Sequence, residues 1–295
     1  MELLIAAASN PVTPLAGPEQ ASSPVELSRR PLSAAAVRAA VLAGSALYTG
    51  VEVVARTGST NADLLAAARA GAAAGSVLVA EHQSAGRGRL DRSWRSEPGA
   101  GLTFSVLLRP AGVPAGRRGW LPLLTGVAVA AALAGQAAAE IGLKWPNDVL
   151  ADRPGGQRKL AGILAEQAGD AIVVGVGLNV SATQPELPSD RATSLLLAGG
   201  SNLDRQAILA AVLASLERWY LRWVGGAQPG DAASSGLRAA YLTACWTVGR
   251  DVRVQLPGGR VLTGCASDVD AAGRLLVSTP DGVRAVSAGD VVHVR

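Results

Sequence analysis

Lys144-Trp145-Pro146-Asn147-Asp148, Arg153-Pro154-Gly155-Gly156 and Lys159-Leu160-Ala161-Gly162-Ile163-Leu164 follow one another in a short stretch, and their order decides the fold. Proline stiffens its turn and biases Trp145 toward extended backbone, so the chain arrives extended and presents Asn147 beside Asp148. Arg153 to Gly156 carries a hairpin signal, and residues 159–166 form its return strand. Residues 171–180 read as a further strand with Gly175 and Gly177 inside it. Strands joined through hairpins, with helices gathered elsewhere, predict an α+β fold on a mixed β-sheet rather than a doubly wound one.

Working outward, residues 51–54, 76–81 and 102–108 read as strands. Thr60 offers an N-cap, with Asp63 three residues on, for a helix over 61–70 that Gly71 ends. An alanine-rich helix starts near Trp120, a long amphipathic one spans 206–223, and another spans 236–243. After Gly249 the pattern changes to short strands at 251–256, 261–265, 275–278 and 291–294, separated by turn signals, which predict a small β-barrel or sandwich. The expected organisation is a flexible leader over 1–45 with one short helix at 32–42, a larger domain over 46–246 and the barrel over 247–295.

Composition narrows the function classes. A chain of 295 residues buries a substantial core, and its 49% apolar content owes much to alanine. The best membrane-span candidate, 121–139, is interrupted by Thr125, Gly126, Gly135 and Gln136 and reads as a core helix. Met1-Glu2-Leu3-Leu4-Ile5 lacks the positive region of a secretory signal. Cys245, Cys265, His82 and His293 are too dispersed for a disulfide framework or a zinc site, so no protein-held metal is expected and a reducing cytoplasm is the expected setting. The net charge of +4 fits nucleotides or nucleic acid and decides neither.

Four segments carry chemistry. In Gln83-Ser84-Ala85-Gly86-Arg87-Gly88-Arg89, glycines let backbone approach a ligand while arginines add forked donors, which makes an anion cradle, a solvated turn or an RNA-binding loop. It is neither a P-loop nor a dinucleotide fingerprint, because no lysine follows the glycines and the next regular element is a strand. Asn147 beside Asp148 can read the edge of a heterocycle or orient an amine, or can be an Asx turn with a packed tryptophan. Lys159 starts the return strand, where alternation puts it on one face with Ala161 and Ile163, either as a solvated edge charge or as a point charge for a transferring group. Gly175 and Gly177 mark a bulge or a place where a flat ligand lies against backbone.

Taken with Ser59-Thr60-Asn61, Gly249-Arg250, Gly264 and Ser287-Ala288-Gly289-Asp290-Val291, the order and approximate spacing of these motifs resemble bacterial biotin–protein ligases over about residues 51–295. The resemblance implies a class II synthetase-like catalytic domain followed by a small SH3-like β-barrel. It implies ATP and biotin as substrates, Mg2+ travelling with ATP, and the biotin carboxyl carrier protein of a carboxylase as partner. It also implies the site residues. Ser59, Thr60, Asn61 and Gln83 would hold the biotin ring and carboxylate region, Arg87, Gly88 and Arg89 would wrap the ligand, with Arg89 and Arg92 near phosphate, and Gly86 and Trp94 would also bind the substrate. Lys159 would contact the biotin carboxylate and α-phosphate over Gly162, Gly175 and Gly177, and Asn147 and Asn179 would sit near adenine. Asp148 is the candidate to orient or deprotonate the acceptor lysine, so Lys159, Arg89 and Asp148 form the expected catalytic set. The arginine loop and residues 181–193 are the expected lids.

Leu90-Asp91 departs from the family pattern by placing an acid in the basic loop. The short leader implies a monofunctional member without a DNA-binding domain, and neither DNA nor a membrane is an expected partner. A homodimer through a sheet edge is compatible with the pattern, which does not establish it. The competing readings are a lipoate–protein ligase of the same fold, a nucleic-acid-binding module and a non-catalytic biotin sensor. The barrel's lack of clustered aromatics counts against nucleic acid.

Overall fold

Two strands, β3 (Gly101–Leu108) and β7 (Ala171–Asn179), are buried at every position, which requires a covering layer on each face of the sheet. The computed structural model describes residues 24–90, 92–287 and 289–294, and it puts these two strands side by side at the centre of a seven-stranded sheet. With β1 (Gly50–Thr57), β2 (Ser76–Gln83), β4 (Ile141–Lys144), β5 (Asp148–Ala151) and β6 (Arg158–Ala168), the order is β1-β2-β3-β7-β6-β5-β4. The β1–β2 pair is parallel and the others are antiparallel, so the sheet is mixed, as expected.

One face carries the main core. There α2 (Ala34–Leu42), α4 (Trp120–Leu133), α5 (Arg205–Val224) and α6 (Leu237–Ala244) bury Val37, Leu124, Leu213 and Tyr241 against the sheet. The alanine-rich α4 is buried nearly all round, which accounts for its apolarity without a membrane. No helix among the described residues is long and apolar enough to cross one. The opposite face holds a smaller cluster in which α3 (Thr60–Arg69) packs Leu64, Leu65 and Ala68 on Leu78, Leu107 and Val173. The three glycines of β6 and β7 lie beside this cluster on that face, where side chains and loops rather than a second helix come over them.

The C-terminal strands β8 (Asp251–Gln255), β9 (Val261–Val269), β10 (Leu275–Thr279), β11 (Gly282–Val286) and β12 (Asp290–His293) form the expected small SH3-like unit, antiparallel in the order β11-β10-β9-β8-β12. Strand β11 was absent from the expected set because four of its five residues are exposed and give no apolar alternation. Two buried tryptophans join this unit to the larger domain. Trp120 Nε1 donates to Ala271 O at 3.2 Å and Trp145 Nε1 to Gly273 O at 3.0 Å. Trp145 is thus an anchor between domains rather than a ligand contact.

The leader expectation needs correcting where the structure describes it. Residues 1–23 lie outside the described residues, but from α1 (Pro24–Ser28) onward the chain is built into the larger domain. The fully buried Arg205 donates to Ser28 O and Arg30 O while pairing with Glu81 at 2.7 Å. Arg29 grips Glu186 with two hydrogen bonds of 2.8 and 2.7 Å. The physical cause is charge pairing across more than 150 residues of sequence, which local periodicity does not register.

Glu186 is held down to about pKa 2, first by the Arg29 hydrogen bond, against burial, and further by the Thr183 N–H and hydroxyl. A carboxyl whose folded pKa lies below its unfolded value stabilises above the unfolded pKa and loses that contribution as pH falls through the folded one. Glu186→Gln is therefore expected to lower stability by about 1 kcal/mol at pH 7. Denaturant midpoints taken at a series of pH values should show the gap from wild type narrowing below pH 4.5 toward 2. A gap that stays constant with pH would remove this account of the Arg29–Glu186 contact.

Candidate active site

Three glycines make a floor on the part of the second sheet face that lies beside α3. Gly162 of β6 pairs with Gly177 of β7, and Gly175 lies two residues along. A Cβ on Gly177 would stand 2.2 Å from Trp94 Cε2, and one on Gly175 would stand 2.1 Å from Asn61 Oδ1. Side chains from the flanking segments therefore lie directly on backbone, which is the close approach these glycines permit.

Lys159 joins the same floor through a bulge. Val149 pairs with Ala161 but Leu150 pairs with Lys159, leaving Leu160 as the extra residue. The expected alternation of Lys159 with Ala161 and Ile163 is thereby corrected. Ala161 and Ile163 enter the main core, and Lys159 shares the cleft face with Gly162, 3.1 Å from where a Cβ would be. Its ammonium stands 2.6 Å from Asp148 Oδ1 and 5.9 Å from the centroid of the Trp94 ring. Asp148 Oδ1 is buried and has no aligned hydrogen bond, so that contact is mainly electrostatic. The Lys159 backbone is held on both sides, its N–H donating to Arg191 O at 2.7 Å and its carbonyl accepting from Thr193 N at 2.8 Å.

At the other end, Ser59 rather than Thr60 caps α3. Its extended backbone lets its hydroxyl accept from Ala62 N, which frees Thr60 to donate from N–H and hydroxyl to Gln83 Oε1 at 2.8 and 3.0 Å. Ser105 Oγ lies 2.6 Å from Asn61 Oδ1, and Asn61 Nδ2 donates to Leu164 O and Glu166.

The arginine loop closes the cleft as a tight hairpin. Gly88 N donates to Arg92 O and Trp94 N to Gly86 O, with Leu90 left-handed near the tip and Asp91 outside the described residues. A Cβ on Gly86 would meet Trp94 O at 2.5 Å, so the hairpin's closure demands glycine there. Three arginines reach three separate acceptors. Arg87 pairs with Glu166, Arg89 donates to Asn147 Oδ1 at 3.2 Å, and Arg92 pairs with Asp290 of the small unit. Asn147 is itself fixed by donating to Ile163 O at 2.9 Å.

Burial pulls Arg89 below the ordinary guanidinium value, while Asp148 and Asp290 pull it back and Arg92 adds to the drop. Arg92 is raised by its hydrogen bond to Asp290, against burial. Burial works against ionisation of Asp290, yet Arg92, Lys144 and Arg89 together lower it. A buried, incompletely neutralised Arg89 gains most when an anion arrives.

The cleft encloses about 820 Å³ including its open mouth. It brings together Ser59, Thr60, Asn61, Gln83, Arg87, Gly88, Arg89, Arg92, Trp94, Asn147, Asp148, Lys159, Gly162, Gly175 and Gly177. Two expected residues stand off it. Gly86 lies inside the hairpin, and Asn179 lines an adjoining recess with Trp94, Lys159 and Arg191, its amide donating to Thr193 O at 2.9 Å. Asn179 thus braces the segment that holds Lys159. Ser105, Glu166, Gly289 and Asp290 are at the site without having been expected. Ser105 and Glu166 are polar interruptions of apolar strands, a weak signal, and Asp290 sat in a motif read only as part of the barrel.

The arrangement suits a ligand with a neutral polar head at α3, a body against the Trp94 side that covers the glycine floor and an anionic end at Lys159, Arg89 and Arg92. Among the described residues no group of three or more His, Cys, Asp or Glu side chains is placed to hold a metal ion.

Residues 53–181 match the model of the Biotin/lipoate A/B protein ligase family, and residues 247–294 match that of the Biotin protein ligase C terminal domain. The chain is 45% identical over 271 residues to a biotin–[acetyl-CoA-carboxylase] ligase of Mycobacterium tuberculosis, covering 90% of this chain and 97% of that one. It is 30% identical over 225 residues to the bifunctional ligase/repressor BirA of Bacillus subtilis, covering 74% and 66%. Among solved structures, a biotin protein ligase from Aquifex aeolicus in complex with biotin and ATP superposes with TM-score 0.66 at 28% identity, over 84% of this chain and all of that one.

Proposed function

The chain belongs to the biotin/lipoate A/B protein ligase family, and from that premise we propose that it activates biotin with ATP and attaches it to acetyl-CoA carboxylase. The observation that carries this reading is Lys159 and the arginine hairpin meeting over a glycine floor in a chain so similar to a biotin ligase.

In the first step a biotin carboxylate oxygen attacks the α-phosphorus of ATP. An oxygen–phosphorus bond forms, pyrophosphate leaves, and biotinyl-5′-AMP remains. Both reactants are anionic, so positioned cations supply most of the assistance. Lys159 faces the carboxylate and α-phosphate as a point charge, and Arg89 and Arg92 face the departing phosphates. Ser59, Thr60, Asn61, Gln83 and Arg87 hold the ring end, Trp94 covers the ligand, and Asn147 and the recess braced by Asn179 take the adenine end. In the second step a neutral lysine amine of the carboxylase's biotin carrier attacks the acyl carbon and AMP leaves. Asp148, beside Asn147, is the residue proposed to orient that amine.

Magnesium comes with the nucleotide. The carboxylates of the cleft, Asp148 and Asp290, are already committed to Lys159 and Arg92, so the donor set fits an ion carried on the phosphates rather than a protein cage. Dependence on ATP and on a carboxylase partner supports a cytoplasmic setting.

Exchange of labelled pyrophosphate into ATP tests the first step. Biotin-dependent exchange with no response to lipoate is the expected result. Exchange with lipoate alone would keep the fold and replace the substrate, and no exchange with either would overturn the proposal.

A further inference from the structure

Resting on that reading, we propose that Glu166 is a positioning residue for biotin, a single carboxylate that fastens the arginine hairpin to the start of α3 across the ring end of the cleft. It extends from β6 two residues beyond Leu164, with three-quarters of its side chain covered. Its Oε2 accepts from Asn61 Nδ2 at 2.8 Å, and Arg87 Nη2 stands 2.8 Å from Oε1 and 3.1 Å from Oε2.

The consequences for the two partners differ. Asn61 Nδ2 meets two acceptors, Glu166 and Leu164 O, while Asn61 Oδ1 accepts from the buried Ser105. A flipped amide would turn its oxygen toward two acceptors, so Glu166 helps fix which end of Asn61 faces the ligand. Arg87 has a side chain nearly half exposed, and it comes from a hairpin. Ordering a long arginine side chain costs rotamer entropy. The Glu166 carboxylate meets that cost before biotin arrives, so the ligand finds both polar partners in place. Glu166 itself is not among the residues lining the cleft, which distinguishes positioning from contact.

Glu166→Gln separates these effects, since its amide oxygen still accepts from Asn61 while its charge for Arg87 is gone. The expected result is a rise of about tenfold in the apparent KM for biotin in pyrophosphate exchange, with a much smaller fall in kcat. Arg87→Gln raises KM as well, and the double variant is no worse than the more severe single one, since both remove the same ion pair. A purely structural role for Glu166 predicts lost thermal stability without that KM-against-kcat split. An unchanged KM, or effects of the two substitutions that simply multiply, overturns the proposal. Should Glu166→Gln fail to fold, Glu166→Asp keeps the charge but withdraws it by one methylene from Arg87 and makes the same test.

Wild-type exchange is measured first. Its absence removes the proposed reaction, and calorimetric titration of biotin into wild type and variant then decides the inference. Weaker binding by the variant supports it, and equal binding, or none by either protein, overturns it.

Discussion

Lys159→Met is expected to lower the rate of biotin-dependent pyrophosphate exchange by about 10²- to 10³-fold, the range for removing one preorganised group at a site of developing charge. The loss appears in kcat more than in KM. Lys159 is held for this task from three directions. The bulge at Leu160 turns it onto the cleft face, the backbone hydrogen bonds to Arg191 and Thr193 fix its Cα, and Asp148 fixes its ammonium. Its stem crosses Gly162, where a Cβ would leave only 3.1 Å. In the proposed reaction, substrate phosphate and carboxylate would meet a cation already held by Asp148 and by its backbone partners, and the interaction would strengthen as the fifth oxygen closes on phosphorus.

Lys159→Arg is expected to recover only part of the loss, because a planar fork does not fit where a compact ammonium sits between Trp94 and Asp148. Transfer from supplied biotinyl-5′-AMP should fall by no more than about tenfold in Lys159→Met, since the oxygen–phosphorus bond has already formed. Equal losses in both half-reactions would mean that Lys159 supports the fold or ligand binding generally rather than the first step.

Much of this site was legible in the sequence because its residues come in short local motifs. Gly86-Arg87-Gly88-Arg89 reads as a close-approach loop since glycine and arginine have few other reasons to alternate, and the glycines of β7 announce a flat ligand or a bulge. The hairpin at Arg153 to Gly156 likewise placed β5 and β6 beside each other. What escaped reading was long-range or a matter of register. The bulge at Leu160 leaves no mark in composition, so simple alternation assigned Lys159 to the wrong face. Glu166 and Asp290 acquire meaning only when the hairpin folds back to meet them, 79 and 198 residues from their arginines. The segment over 24–42 looked like a leader because its attachments, Arg29 to Glu186 and Arg205 to the carbonyls of Ser28 and Arg30, are side-chain contacts with distant partners.

Gly177→Ala is expected to raise the KM for biotin by about ten- to a hundredfold, through one added methyl group that touches no substrate. The methyl carbon would stand 2.2 Å from Trp94 Cε2 and 2.5 Å from Nε1, far inside any tolerated contact. Gly177 lies in a central strand paired on both sides, with Thr103 and with Gly162, so its backbone does not yield. The indole must move instead. Trp94 belongs to the hairpin that carries Arg87, Arg89 and Arg92, and its N–H closes that hairpin on Gly86 O, so displacing the ring shifts the loop's cations together. Gly116→Ala serves as control, because a Cβ there meets nothing within 4 Å. The decisive comparison uses Trp94→Ala. In that background the added methyl has no ring to strike, so Gly177→Ala should cost little beyond what Trp94→Ala already costs. A full penalty in the absence of the indole would locate the damage in the strand itself and separate the glycine floor from the loop above it.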